Sequence, residues 1–528
     1  MAAAHVINVD LARVFDAPEK GKFLRVMAWG DAVEVVRVTA EHVEVKLFTF
    51  EEADEGFTPV ATSGFIVPPA GVKPSTVVLP KADDRVLRVN FVDVQQGDGS
   101  VIETAKGKVI LIDGGDNVMF ARYLAARFRR TSEARPKEIE CIVVTHGDAD
   151  HFQGLTEIFE SETNATKSKR LFIHPRRVYH NGLVKRPGKI DGVTVKEVQM
   201  LGATRTVKDP VTGKDVVIIT GLESDLLKVP DAQMNEPFKD WKKALTAFRK
   251  RGPITFKRLE AGDESAFEFL QDEGITVQVF GPIPTTIGAV TGLKFLGNPP
   301  KGPRIGHESL ELDTARFTGK SASHTINGHS IVFRLTYGSF NFLFTGDLND
   351  EAARTLTVAH NRGEINLQAE VFKVPHHGSA DFSSALLQAV SPVISVVSSG
   401  DENARKEYIH PRSTLVGALG KYSRLEEPLI FITELVAFFR VEGPTRPEFH
   451  KLGKDGVCTV KDGVAVLEPK AKSAFFGFSR TAFGIVKIRT DGQRLLVYTD
   501  SGQSDLKEAY AYTIDSKGKP EPAPVTMA

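Results

Sequence analysis

The segment Thr145–Gly154 holds the densest group of possible metal ligands in the chain. Two histidines and two aspartates stand within six positions, at His146, Asp148, Asp150 and His151. Imidazole and carboxylate groups are ligands that divalent transition metals accept in proteins. The apolar run Cys141–Val144 directly before them is typical of a buried strand, and a loop at the end of a strand can bring such side chains to one point. The alternative is an ordinary polar loop in which Asp148 or Asp150 caps the next helix.

Further candidate ligands follow other predicted strands downstream. Asp347 comes just after the apolar run Phe340–Phe344, although an aspartate before a helix also serves as an N-cap. His376 and His377 follow a third strand, and His410 lies in a later loop. Any one of these residues could be incidental. The ordered series of ligands at strand ends predicts that they meet at one edge of a sheet.

The elements that must position these residues alternate between strands and helices. Val109–Asp113 and Cys141–Thr145 have the pattern of buried strands, and a helix is predicted between them. Strand patterns return at residues 275–280, 331–335 and 340–344. The sequence therefore predicts a layered fold that contains both helices and sheets.

Three other segments are predicted to flank or interrupt this layered domain. Residues 1–80 alternate as short strands and are similar to the small SH3-like β-barrels attached to many bacterial enzymes. Residues 183–272 are predicted to be an insertion with one amphipathic helix, whose apolar face we expect to pack rather than to bind a ligand. Residues 470–528 are predicted to be a β-rich C-terminal extension, with the last ten residues loose.

Composition excludes several classes of protein. Lys and Arg number 67, as do Asp and Glu, so a nucleic acid must be held by a local patch and not by net charge. Two cysteines in 528 residues exclude a disulfide framework. No apolar run reaches the length of a membrane span, and the N-terminus lacks a signal-peptide pattern. We therefore expect no membrane insertion and a cytoplasmic protein.

The motifs taken together resemble those of the metallo-β-lactamase fold. The branch most similar is the metallo-β-lactamase-like domain of the bacterial competence DNA-uptake channel protein. The motifs that carry this resemblance are Phe91–Asp98, Ile112–Gly115, His146–His151, Asn327–Phe333, Phe344–Leu348 and Val374–Ser379. They cover about residues 86–182 and 272–465. The membrane segments of that channel have no counterpart, so the resemblance does not imply DNA import.

The resemblance implies an α+β fold, an αββα sandwich over residues 86–465, with two divalent metal ions at one edge of its sheets. His146 and Asp148 would bind one ion, and Asp150 and His151 the other. Asp347 would bridge the two ions, and His410 would be a late ligand. Asp113 would support the loop through hydrogen bonds without binding metal.

The sequence departs from the common pattern of this fold at two places. Most members have histidine where Asp148 stands, and a carboxylate makes Mn²⁺ a rival to Zn²⁺. The histidine of the usual third motif has no unambiguous counterpart, since His324 and His329 both stand near Asn327. Either histidine is a candidate ligand, and either could be an ordinary loop residue.

The resemblance also assigns catalytic roles. Two divalent ions lower the pKa of a water bound between them, and Asp150 is expected to orient the resulting hydroxide. By analogy with tRNA-processing nucleases of this fold, His377, or less favourably His376, is expected to protonate the leaving group or contact the substrate. Direct metal binding by one of this pair is the alternative.

A basic segment favours a phosphate substrate. Residues 167–189 contain eight Lys or Arg residues and no acidic residue. Within it, the predicted substrate contacts are Lys169, Arg170, Arg176 and Arg177. A basic strip with interleaved aromatic rings suits a polyanionic strand. The alternative is a solvated edge whose charge is balanced by acidic residues elsewhere.

Three functions remain open from the sequence. The first is a metal-dependent phosphodiesterase, a nuclease acting on DNA. The second keeps the metal ions but hydrolyses a small ester, lactone or amide, because the fold alone does not choose a substrate. The third is an interaction protein that recruits a protein partner through its SH3-like end.

Overall fold

The computed structural model describes residues 3–53, 56–190, 192–298, 319–400, 410–434, 460–461, 464–465, 484–500 and 508–528. The predicted start of the C-terminal extension, at residue 470, lies outside these ranges. No helix in the described part of the chain has both the length and the apolar character needed to cross a bilayer.

The N-terminal residues form a seven-stranded antiparallel sheet. Its strands are β1 Ala3–Ile7, β2 Leu11–Phe15, β3 Phe23–Ala28, β4 Ala32–Val38, β5 Val43–Ala53, β6 Gly56–Ile66 and β7 Val78–Pro80. The strand order is β3-β2-β6-β5-β4-β1-β7. Among the described residues no pairing joins the edge strands β3 and β7, so the sheet does not close. The predicted SH3-like barrel is therefore not confirmed.

The rest of the described chain contains seven helices and many short strands. The helices are α1 Met119–Arg127, α2 Ala149–Ser161, α3 Glu236–Arg249, α4 Ala322–Gly328, α5 Asp350–Asn361, α6 Ser384–Val390 and α7 Ser413–Tyr422. The strands up to residue 258 are β8 Leu87–Phe91, β9 Gly99–Glu103, β10 Val109–Asp113, β11 Lys137–Ile139, β12 Cys141–Val144, β13 Ile173–Pro175, β14 Arg177–His180, β15 Lys189–Ile190, β16 Val193–Thr194, β17 Thr204–Lys208, β18 Asp215–Ile219 and β19 Thr255–Arg258. The later strands are β20 Ile275–Gly281, β21 Thr285–Ile287, β22 Val290–Lys294, β23 Val332–Tyr337, β24 Phe340–Phe344, β25 Val371–Lys373, β26 Ile394–Val397, β27 Leu429–Ile432, β28 Val460–Lys461, β29 Val464–Ala465, β30 Ile485–Thr490, β31 Arg494–Asp500, β32 Ala509–Ile514 and β33 Pro520–Ala523.

Two sheets pack face to face at the centre of the molecule. The first has the order β19-β14-β12-β10-β9-β8-β30-β31-β32-β33, and the second has the order β20-β23-β24-β25-β26-β27. Successive side chains of a strand point to opposite faces, so a buried apolar run fills two cores. Ile110 and Ile112 enter the core between the sheets, with Phe342 and Phe344 from the second sheet. Leu111, between the two isoleucines, enters the core on the other face.

Helices cover the outer face of each sheet. Residues of α1, α2 and α3 share a core with the outer face of the first sheet. Residues of α5, α6 and α7 do the same for the second sheet. The result is an αββα arrangement, so the predicted mixture of helices and packed sheets is confirmed.

The segment 183–272 contributes to this sandwich. Helix α3 packs on the first sheet and buries Phe238, Trp241 and Phe248, as its apolar periodicity predicts. Strand β19 pairs in parallel with β14 at the edge of the same sheet. Strand β17 pairs with β18, and β18 pairs with β22, which lies beyond residue 272. The prediction of a separate inserted subdomain is therefore not confirmed.

The C-terminal strands complete the first sheet and reach the N-terminal sheet. Strand β30 pairs with β8, and β31 to β33 follow in antiparallel order. The amide of Ala528 then donates a hydrogen bond to the carbonyl oxygen of Leu11 in β2. The expectation that the last ten residues are loose is wrong, because the backbone of β2 pairs with them.

A buried carboxylate, Asp10, joins these parts of the chain, and its removal should destabilise the fold. Asp10 accepts hydrogen bonds from the guanidinium of Arg494 at 2.6 and 2.7 Å and from the amide of Thr526 at 2.6 Å. We expect Asp10→Ala to lower the free energy of unfolding by about 2 kcal/mol, since it leaves these donors unpaired. Urea denaturation followed by circular dichroism measures this. The control Glu521→Gln removes an exposed ion pair and should change stability by less than about 0.5 kcal/mol; equal effects of both variants would contradict the prediction.

Candidate metal centre

The candidate site lies where five parallel strands end. Strands β10 and β12 are parallel in the first sheet, and β24, β25 and β26 are parallel in the second. Parallel neighbours present their carboxyl ends at the same edge of a sheet. Asp113 is the last residue of β10, His146 follows β12, Asp347 follows β24, and His377 follows β25. Packing of the two sheets therefore places residues far apart in sequence around one point.

The carboxylate of Asp347 is the centre of this group. Its Oδ1 lies 3.2 Å from Nε2 of His151. Its Oδ2 lies 3.3 Å from Nε2 of His377 and 3.9 Å from Nε2 of both His146 and His376. Four imidazoles from two sheets therefore point the same nitrogen towards one buried carboxylate.

Several of these atoms have unused hydrogen-bonding capacity. The Nε2 atoms of His146, His151 and His377, and Oδ1 of Asp347, are buried and make no hydrogen bond to the described residues. Buried polar atoms are normally paired, and imidazole nitrogens with carboxylate oxygens form the donor set of a transition-metal site. The residues present therefore fit divalent metal ions. Asp98, His151, Asp347 and His377 each offer a ligand atom within 4.8 Å of the others.

The charges of the site are strongly coupled. Burial raises the pKa of Asp347, but the neighbouring His377 and His151 outweigh burial and hold this pKa well below its ordinary value. Burial lowers the pKa of His151 and His377, but Asp347 and other carboxylates outweigh it and raise both. Burial and the charge of His151 lower the pKa of His146. The carboxylates thus favour positive charge at the point where the imidazoles meet.

Asp113 contacts His151 at Nδ1, while Nε2 of the same ring faces Asp347. It accepts hydrogen bonds from the amide of Thr145 at 2.8 Å and from the Thr145 hydroxyl at 2.7 Å. Its Oδ2 also lies 2.9 Å from Nδ1 of His151, which therefore carries the proton. Such a hydrogen bond leaves Nε2 available as a ligand and fixes the ring. This is the position that the resemblance implies for Asp113.

The backbone of the site requires a close approach of α2 to the loop after β10. The amide of Gly114 donates to the carbonyl oxygen of His151, and that of Gly154 donates to the carbonyl oxygen of Gly115. A Cβ atom on Gly154 would lie 1.9 Å from the carbonyl oxygen of Gly114, so a side chain cannot be accommodated there. Asp113 and both histidines of the 376–377 pair also have positive φ, a conformation that tertiary contacts must maintain.

Asp150, Asp148 and His410 lie around this centre at different distances. Oδ2 of Asp150 is 3.4 Å from Nε2 of His377. Asp148 faces Lys185, whose ammonium is 2.8 Å away, and the amide of Asn327 in the orientation that satisfies its hydrogen bonds. The ring centroid of His410 is 6.1 Å from that of His376. Among the predicted ligands, His146 and His151 contact Asp347, Asp150 contacts His377, and His410 lies beside the 376–377 pair, whereas the contacts of Asp148 are with Lys185 and Asn327.

Comparisons with known proteins find similarity over parts of the chain. Residues 92–219 match the family model described as the metallo-beta-lactamase superfamily. Over 86 residues the chain is 41% identical to the competence protein ComA of Neisseria gonorrhoeae, which is 16% of this chain and 12% of that protein. The chain therefore matches only a small part of this relative. A solved structure described as a metal-dependent hydrolase of the beta-lactamase superfamily covers 66% of this chain and 97% of its own, at 11% identity and a TM-score of 0.29.

The sequence match includes the His-Asp loop that the structure places at the centre. Residues 92–219 are thus similar to the metallo-β-lactamase superfamily. In the structure this region packs with the second sheet, and the buried histidines and aspartates of both parts are suited to divalent metal. The identity of the metal and the substrate are not given by this assignment.

The two other histidines considered as ligands of the metallo-β-lactamase domain do not reach Asp347 within 4 Å. Nε2 of His329 lies 2.7 Å from the carbonyl oxygen of Lys294, and burial lowers the pKa of His329 to about 4. Nδ1 of His324 lies 3.4 Å from a carboxylate oxygen of Asp381. Asn327, which stands between them in sequence, is the residue that contacts the metal loop, through Asp148.

The predicted basic strip, residues 167–189, is divided by the structure: Lys185 lies against Asp148, whereas Arg176 and Arg177 lie at the start of β14. Strand β14 runs parallel to β12, with Val178 opposite Ile142, so Arg176 and Arg177 lie at the end of the sheet away from the metal loop. They pair with Glu138 and Glu140. Lys169 and Arg170 follow α2, which runs about 20 Å away from the site. The parallel direction of β14 does not favour substrate contact by Arg176 and Arg177. Substrate contact by Lys169 and Arg170 stays a prediction.

Asp98 and Lys373 near the centre had no predicted role, and Lys185 was considered only as one of the cations of the basic strip. Asp98 lies in a motif quoted for the resemblance, and the signal that could have found it was again a carboxylate in a loop after a strand. Lys373 is buried and contacts Asp98. Lys185 lies in the segment predicted to be an insertion, and its contact with Asp148 depends on tertiary packing alone.

Loss of the central carboxylate should reduce metal binding. We expect Asp347→Asn to bind less than half of the metal that the wild-type protein binds, because the amide removes the negative charge shared by four imidazoles. Elemental analysis of protein purified with Mn²⁺ or Zn²⁺ measures this. The control His174→Gln changes a buried histidine paired with Glu138 and should retain the full metal content. Unchanged metal content in Asp347→Asn would contradict the prediction.

Proposed function

We propose that this protein is a metal-dependent phosphodiesterase that acts on DNA. The observation that carries the proposal is the convergence of four imidazole nitrogens on the carboxylate of Asp347, with a lysine ammonium at the mouth of the same site. The first part supports a metal-dependent hydrolase. The second part, together with the similarity to a competence protein, supports an anionic nucleic-acid substrate.

We assign two sets of metal-binding residues. His146 and Asp148 form one set and Asp150 and His151 the other, with Asp347 shared between them and His410 at the edge. Two bound divalent ions would stabilise negative charge on the attacked phosphoryl group and on an attacking water. In this assignment Asp148, which contacts Lys185 in the structure, would be one of the residues that hold metal. Asp150, whose Oδ2 also lies 3.3 Å from the Gln96 amide nitrogen, orients the attacking water.

We assign different functions to the neighbouring histidines His376 and His377. His377 is almost fully buried, and its Nε2 lies within 3.4 Å of Asp347 and Asp150, so we assign it as a ligand. The side chain of His376 is 23% exposed while its Nε2 still faces Asp347. A proton donor must reach the leaving oxygen, which makes His376 the better candidate. This reverses the preference for His377 drawn from the sequence.

Lys185 is the cation that we assign to substrate binding. Its side chain is 23% exposed, in contrast to the buried imidazoles behind it. If Asp148 binds metal, the ammonium of Lys185 is left beside the metal pair, where it can contact a non-bridging phosphate oxygen. A small ester, lactone or amide would require an apolar pocket formed by residues 183–272. This segment supplies the cation Lys185 to the site instead, and we therefore favour a phosphodiester substrate.

The direct test is cleavage of nucleic acids by the purified protein. We expect hydrolysis of single- or double-stranded DNA in the presence of Mn²⁺ or Zn²⁺, and none with Asp347→Asn. RNA and cyclic nucleotides are assayed in parallel to define the substrate class. A protein that holds its metal but cleaves none of these substrates would contradict the proposal, and cleavage of small esters or lactones instead would favour the second function.

Lys185 should affect substrate binding more than Arg176 and Arg177, the cations at the start of β14, do. We expect Lys185→Met to raise KM for DNA about tenfold, which corresponds to the loss of one charge-assisted contact to phosphate. The double variant Arg176→Gln/Arg177→Gln changes two cations at the opposite edge and should leave KM within about twofold. Steady-state cleavage kinetics at fixed salt measure both. A larger effect of the arginine variant on KM would contradict this assignment and would indicate that DNA contacts Arg176 and Arg177.

A further inference from the structure

Asp98 contacts the imidazoles of the site from the side opposite to Asp347. Its Oδ1 lies 3.2 Å from Nδ1 of His377, and its Oδ2 lies 3.9 Å from Nδ1 of His151. Both rings direct Nε2 towards Asp347. The two nitrogens of an imidazole point in different directions, so a group at Nδ1 does not share a metal ion with Nε2 of the same ring. Asp98 therefore contacts the Nδ1 side of these rings and does not lie on the side of their Nε2 atoms, where the metal would bind.

The protonation of His377 is fixed by a second neighbour. The carbonyl oxygen of Ser398 lies 3.2 Å from the same Nδ1 atom. A carbonyl oxygen can only accept a hydrogen bond, so Nδ1 carries the proton and donates it to Ser398, with the carboxylate of Asp98 3.2 Å from the same nitrogen. The neutral tautomer then has its lone pair on Nε2, which is the form that binds a metal.

A buried lysine compensates the charge of Asp98. Lys373 is the last residue of β25, four positions before His377, and its ammonium contacts the Asp98 carboxylate. Both side chains are no more than 5% exposed. Burial raises the pKa of Asp98, but Lys373 and His377 outweigh it and lower this pKa. With this counter-charge at its carboxylate, Asp98 is neutralised within the protein.

The loop that carries Asp98 is held between α2 and the second sheet. The hydroxyl of Ser398 donates a hydrogen bond to the carbonyl oxygen of Gly97 at 3.0 Å. A Cβ atom on Gly97, whose φ is +101°, would lie 1.9 Å from the carbonyl oxygen of Asp150. The loop that carries the carboxylate is therefore placed by contacts with α2 and with the residue that follows β26.

We propose that Asp98, neutralised by Lys373, is a positioning residue that orients His377 for metal binding and is not itself a ligand. The inference rests on the proposed metal site. Asp98 acts on His377 as Asp113 acts on His151, because each of these two imidazoles has an aspartate carboxylate at its Nδ1 atom. Lys373 prevents this additional carboxylate from competing with Asp347 for a cation.

A double-mutant cycle separates the two possible roles of Asp98. Asn at position 98 can still accept the hydrogen bond from Nδ1 of His377, but it leaves the buried ammonium of Lys373 without a counter-charge. We expect Asp98→Asn to weaken Mn²⁺ and Zn²⁺ binding at least tenfold without changing the number of ions bound. We expect Asp98→Asn/Lys373→Met, which removes both charges, to recover most of that loss. Isothermal titration with the metal alone measures affinity and stoichiometry, and Lys373→Met completes the cycle.

The outcomes distinguish this inference from the proposed function. Equal losses in Asp98→Asn and the double variant with one ion fewer, or no loss in Asp98→Asn, would overturn the positioning role. Failure of the wild-type protein to bind either metal would instead reject the metal site itself. The control Asp272→Asn changes an exposed carboxylate paired with Lys106 and Lys108 and should not alter metal binding.

A second measurement remains available if the Asp98 variants do not fold, which thermal unfolding of the metal-free proteins would reveal. A crystal structure of the wild-type protein loaded with Mn²⁺ shows the ligands by anomalous scattering. We expect the carboxylate of Asp98 to stay in contact with Lys373 and Nδ1 of His377. An ion within about 2.3 Å of an Asp98 oxygen would overturn the inference.

Discussion

The structure depends on the burial of one carboxylate, that of Asp347, at the junction of two sheets. A buried negative charge is costly unless positive charge or hydrogen-bond donors surround it. Here four imidazoles provide that environment, with Nε2 atoms between 3.2 and 3.9 Å from the carboxylate oxygens. These histidines come from strand ends of both sheets, so the charge balance of the site requires the complete sandwich.

The aspartates of the site fall into two groups according to the imidazole nitrogen they face. Asp347 faces Nε2, whereas Asp113 and Asp98 face Nδ1. The second group determines which nitrogen carries the proton and how each ring is turned. These three aspartates are all buried in one region. The imidazole nitrogen that each one faces distinguishes them better than their distance from the rings does.

The apolar core positions the site as much as its polar contacts do. Alternating residues of β10 and β24 fill the space between the sheets and fix the level at which the strands end. The C-terminal strands belong to the same framework, since β30 pairs with β8 and the last residues pair with β2. Segments that look like appendages in the sequence thus support the strand next to the Asp98 loop.

The sequence by itself predicted the layers, the resemblance to the metallo-β-lactamase fold and most of the residues proposed for the metal site. Periodicity identifies the buried strands, and the polar residues at their ends form a pattern specific enough to indicate a metal centre. Tertiary structure decided which way each side chain faces: it carried Arg176 and Arg177 to the far edge, brought Lys185 to Asp148, and gave Asp98 and Lys373 their roles. The physical reason is that the direction of a strand and the packing of two sheets are set by pairings between residues far apart in sequence, whereas periodicity reports only on neighbours.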